Sequence, residues 1–116
     1  MSAGKVYVIQ SGESYYYKIG LAKDPYSQRI KNLQTGNPYR LYLRKTHDVK
    51  DMRVAEDILH RRYFQLRGIG EWFLFDPNHW LTPARVEELY FYIDNQLDLD
   101  MRAFEQIQML LKEDYT

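Results

Sequence analysis

The stretch KVYVIQSGESYYYKIG, residues 5–20, decides how the chain begins. KVYVIQ and YYYKIG are two runs rich in β-branched and aromatic residues, and SGES between them carries Gly12 where a hairpin turn needs it, so the spacing predicts antiparallel strands at about 5–10 and 15–20. Beyond Gly20, LAKDPYSQRIKNLQTG has Asp24 and Pro25 as cap and first-turn residue, Tyr26, Ile30 and Leu33 along one side, and Gly36 as terminator. That is a helix of about ten residues. NPYR turns the chain into LYLRKTH, a third strand in which Leu41 and Leu43 alternate with Tyr42 and Arg44. DVKDMRVAEDILHRRYFQL then repeats Met52, Ala55, Leu59 and Leu66 at helical spacing.

GEWF follows at residues 70–73, where a carboxylate stands beside two large aromatics. Past it, TPARVEELYFYID opens with a Thr cap and a first-turn Pro and aligns Val86, Leu89, Tyr90 and Ile93. A last helix, from about 100 to 112, stripes Met101, Phe104, Ile107 and Leu111. The expected class is α+β: a small antiparallel three-stranded sheet flanked by helices, with a domain over residues 1–80 and a C-terminal helical extension over 81–116 packed on it.

At 116 residues the chain is one domain by size. It has no cysteine, which excludes disulfides and thiolate metal sites and suits a reducing, cytoplasmic setting. No apolar run reaches the roughly 18 residues of a membrane span, and the N-terminus has no apolar signal core. The net charge of zero conceals an asymmetry. Residues 1–67 carry 13 Lys and Arg against 6 Asp and Glu, while 68–116 carry 3 against 10. A basic block interleaved with tyrosines is the footprint of a surface that contacts phosphates, with Lys23, Lys31, Arg61 and Arg62 as candidate DNA contacts. A dipolar protein whose halves neutralise each other is the alternative.

Glu56 and His60 are four residues apart and Tyr63 is seven from Glu56, so all three share a helical ridge beside the apolar stripe. They are either an exposed pair without further duty or an acid and an imidazole facing one cleft. One His with one Glu is a weak zinc signal, whereas a single carboxylate completed by water and phosphate oxygens suits magnesium. Arg29 sits next to Ile30 at the edge of its helix's apolar face, either snorkelling or offering its fork to a phosphate. Tyr7 is mid-strand and by itself reads as an ordinary packed aromatic.

Taken together, VYV at 6–8, KIG at 18–20, Arg29 and Glu56 resemble the GIY-YIG endonuclease superfamily. YYKIG, RIKNLQTGNP, EDILH and GEWF, covering about residues 5–75, are similar to its phage-type DNA-binding or meiotically up-regulated gene branch. The resemblance implies Mg²⁺- or Mn²⁺-dependent hydrolysis of DNA phosphodiesters by an endonuclease of a phage or mobile element. Carried over, Tyr7 acts as general base or positions the water, Arg29 steadies the phosphoryl charge, and Glu56 holds the cation. Lys18 replaces the second-motif tyrosine and Leu33 stands where a histidine is usual, so a cation and an imidazole come from Lys18 and His60 instead. Glu71 is expected at the rim of the site as a second metal or water contact, with Trp72 and Phe73 anchoring its loop in the core. A homodimer through the C-terminal helices would let two centres cut two strands. The competing readings are a non-catalytic DNA-binding module and an interaction protein acting through its acidic helical tail.

Overall fold

The computed structural model describes residues 2–23 and 26–114. The opening hairpin is formed by β1 (Gly4–Ser11) and β2 (Tyr16–Ala22), and α1 (Tyr26–Gln34) leads to β3 (Leu41–Val49). Next come α2 (Met52–Arg62), a 3₁₀ turn (Phe64–Leu66), β4 (Trp72–Leu74), α3 (Val86–Asn95) and α4 (Leu97–Asp114). Asp24, Pro25 and the Tyr26 side chain, expected to begin the first helix, lie outside the described residues.

The sheet has four strands, in the order β3-β1-β2-β4 and antiparallel throughout, which corrects the expectation of three. The added strand is the WFL of GEWF. Three residues are too few to display an alternation, so β4 is specified by its partners: Tyr16, Tyr17 and Lys18 pair with Leu74, Phe73 and Trp72. Gly70 sets this up with φ +62, a left-handed conformation that side chains rarely adopt, and it turns the chain back along β2.

Alternation along β1 and β2 divides the core between the two faces of the sheet. Val6, Val8, Tyr17 and Ile19 join Ala55 and Leu59 of α2, Phe73, Phe75, and Leu89, Tyr92, Ile93 and Leu97 on one face. Tyr7, Ile9 and Leu41 form a smaller cluster on the other, with Ile30 and Leu33 of α1 and Trp72 against it. Asp51 caps α2, its carboxylate accepting from the Arg53 and Val54 N–H groups. Helix α3 begins at Val86 with Arg85 in the cap position, so the Thr82 cap and first-turn Pro83 fall before the helix. Thr82 N–H instead bonds His79 Nδ1.

The single apolar face expected for β3 is met only in part: Leu41 is buried, but Leu43, in register with it, is exposed, and a bulge at Arg44 follows before Lys45 pairs with Val8. In α4 only the first turns pack, with Leu97 buried and Met101 against the core, while Phe104, Ile107 and Leu111 stand exposed. Acidic residues of α3 and α4 answer cations of the first half through Lys45–Asp94 and Arg62–Glu88 pairs, and Asp98 bonds His47 at 3.1 Å.

Tyr7 lies opposite Gly20 in the β1–β2 register, and a Cβ on Gly20 would run into the Tyr7 ring and hydroxyl. Gly20→Ala should therefore destabilise the domain by about 1–3 kcal/mol through overpacking, read as a fall in the denaturant midpoint.

Candidate active site

The site forms where β4 ends and β2 continues past it. At this point Ile19 is held by both of its backbone groups: its N–H donates to the Glu71 carbonyl at 3.2 Å, and its carbonyl accepts from His60 Nε2 at 3.1 Å. A carbonyl can only accept, so Nε2 carries a proton, and Nδ1 is the nitrogen left to offer a lone pair. The ring also packs edge-on against Phe73, with centroids 5.1 Å apart.

Helix α2 places Glu56 one turn before His60, next to buried Ala55 and Leu59, so both polar residues sit at the border of the core. Opposite them is Glu71. One ligand atom from each of Glu56, His60 and Glu71 lies within 4.8 Å of the other two, and all three residues are half-buried. Lys18 points from β2 into the same corner. It is 7 % exposed, its Nζ bonds Glu71 Oε2 at 2.7 Å, and it lies over the Trp72 ring.

The two carboxyls are driven apart in acidity. Burial, then the charge of Glu71, raises the pKa of Glu56, and a hydrogen bond shared with Glu71 adds to the rise against His60 and Lys18. For Glu71 burial is the largest single influence and acts upward. The Lys18 hydrogen bond and charge, with His60 and Glu56, outweigh it and leave that carboxyl below its ordinary value. Glu56 therefore takes the proton when the pair holds one, and Glu71 remains the anion.

Tyr7 and Arg29 meet on the α1 side of β2. Tyr7 is 1 % exposed, and its hydroxyl is buried without a hydrogen-bond partner among the described residues. The Arg29 guanidinium lies close enough for that hydroxyl to be the main cause of its raised pKa, with the charge of Glu71 contributing last, although the pair does not reach bonding geometry. The structure thus gathers Lys18, Glu56, His60 and Glu71, and sets Tyr7 with Arg29 beside them.

Tyr63, on the same sequence ridge, turns away: it is buried against Phe75 and donates its hydroxyl proton to Glu88 at 2.6 Å. Arg62 is engaged there too, bonding Glu88 at 2.8 Å and stacking on Tyr92. Arg61 is exposed and pairs with Asp57, while Lys23 and Lys31 are exposed on either side of the start of α1. A cleft between α2 and α4 borders Glu56 and His60 and is lined by Arg53, Arg61, Phe64, Arg67 and Phe104. Arg53, Arg67 and Phe64 were not singled out from the sequence, where only their neighbours' RR pair drew notice.

Comparison with known families matches residues 4–93 to the T5orf172 domain. The chain belongs to this family. The match corrects the assignment to the GIY-YIG superfamily, for which there is no family evidence. Within this strand pair VYV and KIG place the Tyr7 ring over Gly20, a packing contact that does not by itself identify a family. A DNA-related role goes with the T5orf172 family, which is associated with endonuclease-like proteins. Neither the curated proteins nor the solved structures give a match. Among the described residues no helix is long and apolar enough to cross a membrane.

Linkage gives the carboxyls opposite signatures. Glu56, with its raised pKa, adds stability below the ordinary carboxylate range that is lost as pH rises through the raised value. Glu71, with its lowered pKa, adds stability above that range that is lost as pH falls through the lowered value. Glu56→Gln should raise the melting temperature at about pH 7 and lose that advantage toward about pH 4. Glu71→Gln leaves the Lys18 ammonium buried without its carboxylate and should cost roughly 2 kcal/mol at neutral pH, less than a fully buried pair because Glu71 reaches solvent. Tyr7→Phe removes an unpaired buried hydroxyl and should stabilise by about 1 kcal/mol in a denaturant melt.

Proposed function

We propose that the chain is a divalent-cation-dependent endonuclease hydrolysing DNA phosphodiesters at the Glu56–His60–Glu71 cluster. The observation that supports this most is the convergence of two carboxylates and an imidazole, half-buried, beside a buried lysine and an arginine. Burial and, after it, the charge of Glu71 raise the pKa of Glu56, and a cation joining the two carboxylates would act against both. The donor set fits Mg²⁺ or Mn²⁺, with the imidazole favouring Mn²⁺.

In this reading Glu56, Glu71 and His60 Nδ1 hold the ion, which when bound supplies Lewis-acid stabilisation of charge on the phosphate and the departing oxygen. The remaining roles belong to the chain. Arg29, an exposed residue, presents its fork to the non-bridging oxygens, where five fixed donors match a phosphoryl group. Tyr7, its hydroxyl buried beside Arg29, backs that guanidinium from within the sheet and does not itself meet the attacking water. Lys18 holds Glu71 in place through its 2.7 Å bond and offsets part of the anionic charge as substrate enters. Lys23, Lys31 and Arg61 contribute phosphate contacts along the exposed surface.

One observation favours a second reading, a DNA-binding module that cuts nothing: Lys18 already neutralises Glu71 without any ion. Supercoiled plasmid incubated with Mg²⁺ or Mn²⁺, against an EDTA control, separates the two. The nuclease reading expects nicked or linear product that EDTA abolishes, and plasmid and single-stranded DNA both intact in every lane would overturn it. Glu56→Gln should abolish cleavage while leaving DNA affinity intact. Arg29→Ala should lose about a hundredfold or more in rate. His60→Ala should lose about ten- to a hundredfold. Wild-type cleavage by Glu56→Gln at equal metal would reject the site.

A further inference from the structure

The cleft between α2 and α4 has a volume of 760 Å³ and runs directly off the cluster, since Glu56 and His60 form part of its wall. Its other lining residues are unusual company for one another. Arg53, Arg61 and Arg67 bring three cations, of which Arg53 and Arg67 have no carboxylate partner among the described residues. Phe64 is 67 % exposed, and Phe104 of α4, 39 % exposed, lines the same cleft. Exposed apolar residues are common and mean little singly. Here the ring stands among arginines, four residues beyond His60, in the 3₁₀ turn that follows α2.

We propose that this cleft binds a single-stranded stretch of DNA, with Phe64 stacking on an unpaired base next to the phosphate presented to Glu56 and His60. The substrate class is thus DNA that is unpaired at the cut, and the proposal rests on the nuclease reading only for the identity of that phosphate. A duplex shows its partner phosphates and base edges, while the faces of its bases are hidden in the stack. An exposed ring gains nothing from such a surface. A single strand offers base faces to the ring and phosphates to the arginines, the combination by which proteins hold unpaired strands without regard to sequence. Arg67 is steadied for this by donating Nε–H to the Gly70 carbonyl at 2.6 Å, which fixes it on the turn leading to Glu71.

The test is fluorescence anisotropy in EDTA, so that binding is measured without cleavage, using fluorescein-labelled oligothymidylate and the same strand annealed to oligoadenylate. Wild type should bind the single strand more tightly than the duplex. Phe64→Ala should weaken single-strand binding about tenfold, and Phe64→Leu, which keeps apolar bulk without a ring, should fall nearly as far. Phe64→Tyr should bind as wild type does. Equal or tighter binding of the duplex by wild type would overturn the proposal, as would unchanged single-strand affinity in Phe64→Leu. Plasmid cleavage together with duplex preference would leave the nuclease reading standing and remove this one. Single-strand preference that depends on Phe64, with neither plasmid nor the single strand cleaved in Mg²⁺ or Mn²⁺, would do the reverse.

Discussion

The double anchoring of Ile19 is the constraint on which the site depends. A residue in a regular ladder gives its N–H and carbonyl to one neighbouring strand, but Ile19 gives one to the Glu71 loop and the other to an imidazole on α2. Its side chain is buried in the core with Leu59 and Phe73. Sheet, helix and loop are therefore tied at a single residue. A shift of β2 by one position would exchange the faces of Lys18 and Ile19 and separate all four polar groups at once.

From that tie the electrostatics follow. Glu71 is held by its own backbone and by Lys18, whereas Glu56 projects from a helix with no bond of comparable strength to a cation. Placing a fixed anion beside an adjustable one makes the second carry the proton, which is the direction of both shifts. The arginine and the tyrosine stand on the face of the sheet away from α2, the face that Lys18 and Trp72 share, and Glu71 at the margin of β2 brings its charge within reach of Arg29.

Much of this was legible in the sequence, where the physics was periodic. The hairpin, α2 with its Glu56–His60 ridge and the core positions of α3 follow from alternation and helical spacing. The fourth strand was not, because three residues carry no period and β4 exists only through pairing with Tyr16, Tyr17 and Lys18. GEWF was expected to bring Glu71 to a rim with its aromatics inward. Phe73 is indeed buried in the main core, while Trp72 packs on the other face, as strand alternation requires. Nothing local in the sequence joins Lys18 to Glu71, 53 positions away. The destination of Tyr63 was equally hidden, since its partner Glu88 comes from a helix later in the chain. The short motifs did not fix the family, which the match over residues 4–93 did.

The fit of the Tyr7 ring over Gly20 has a bearing on how this sequence can drift. Any side chain at position 20 meets the ring at position 7, so the two sites cannot vary independently. A larger residue at 20 becomes tolerable only after the ring at 7 has been given up, and with it the hydroxyl that faces Arg29. Among descendants of this chain, loss of the glycine and loss of the tyrosine should therefore arrive as one event, and a lineage that has passed through it has left the present chemistry behind.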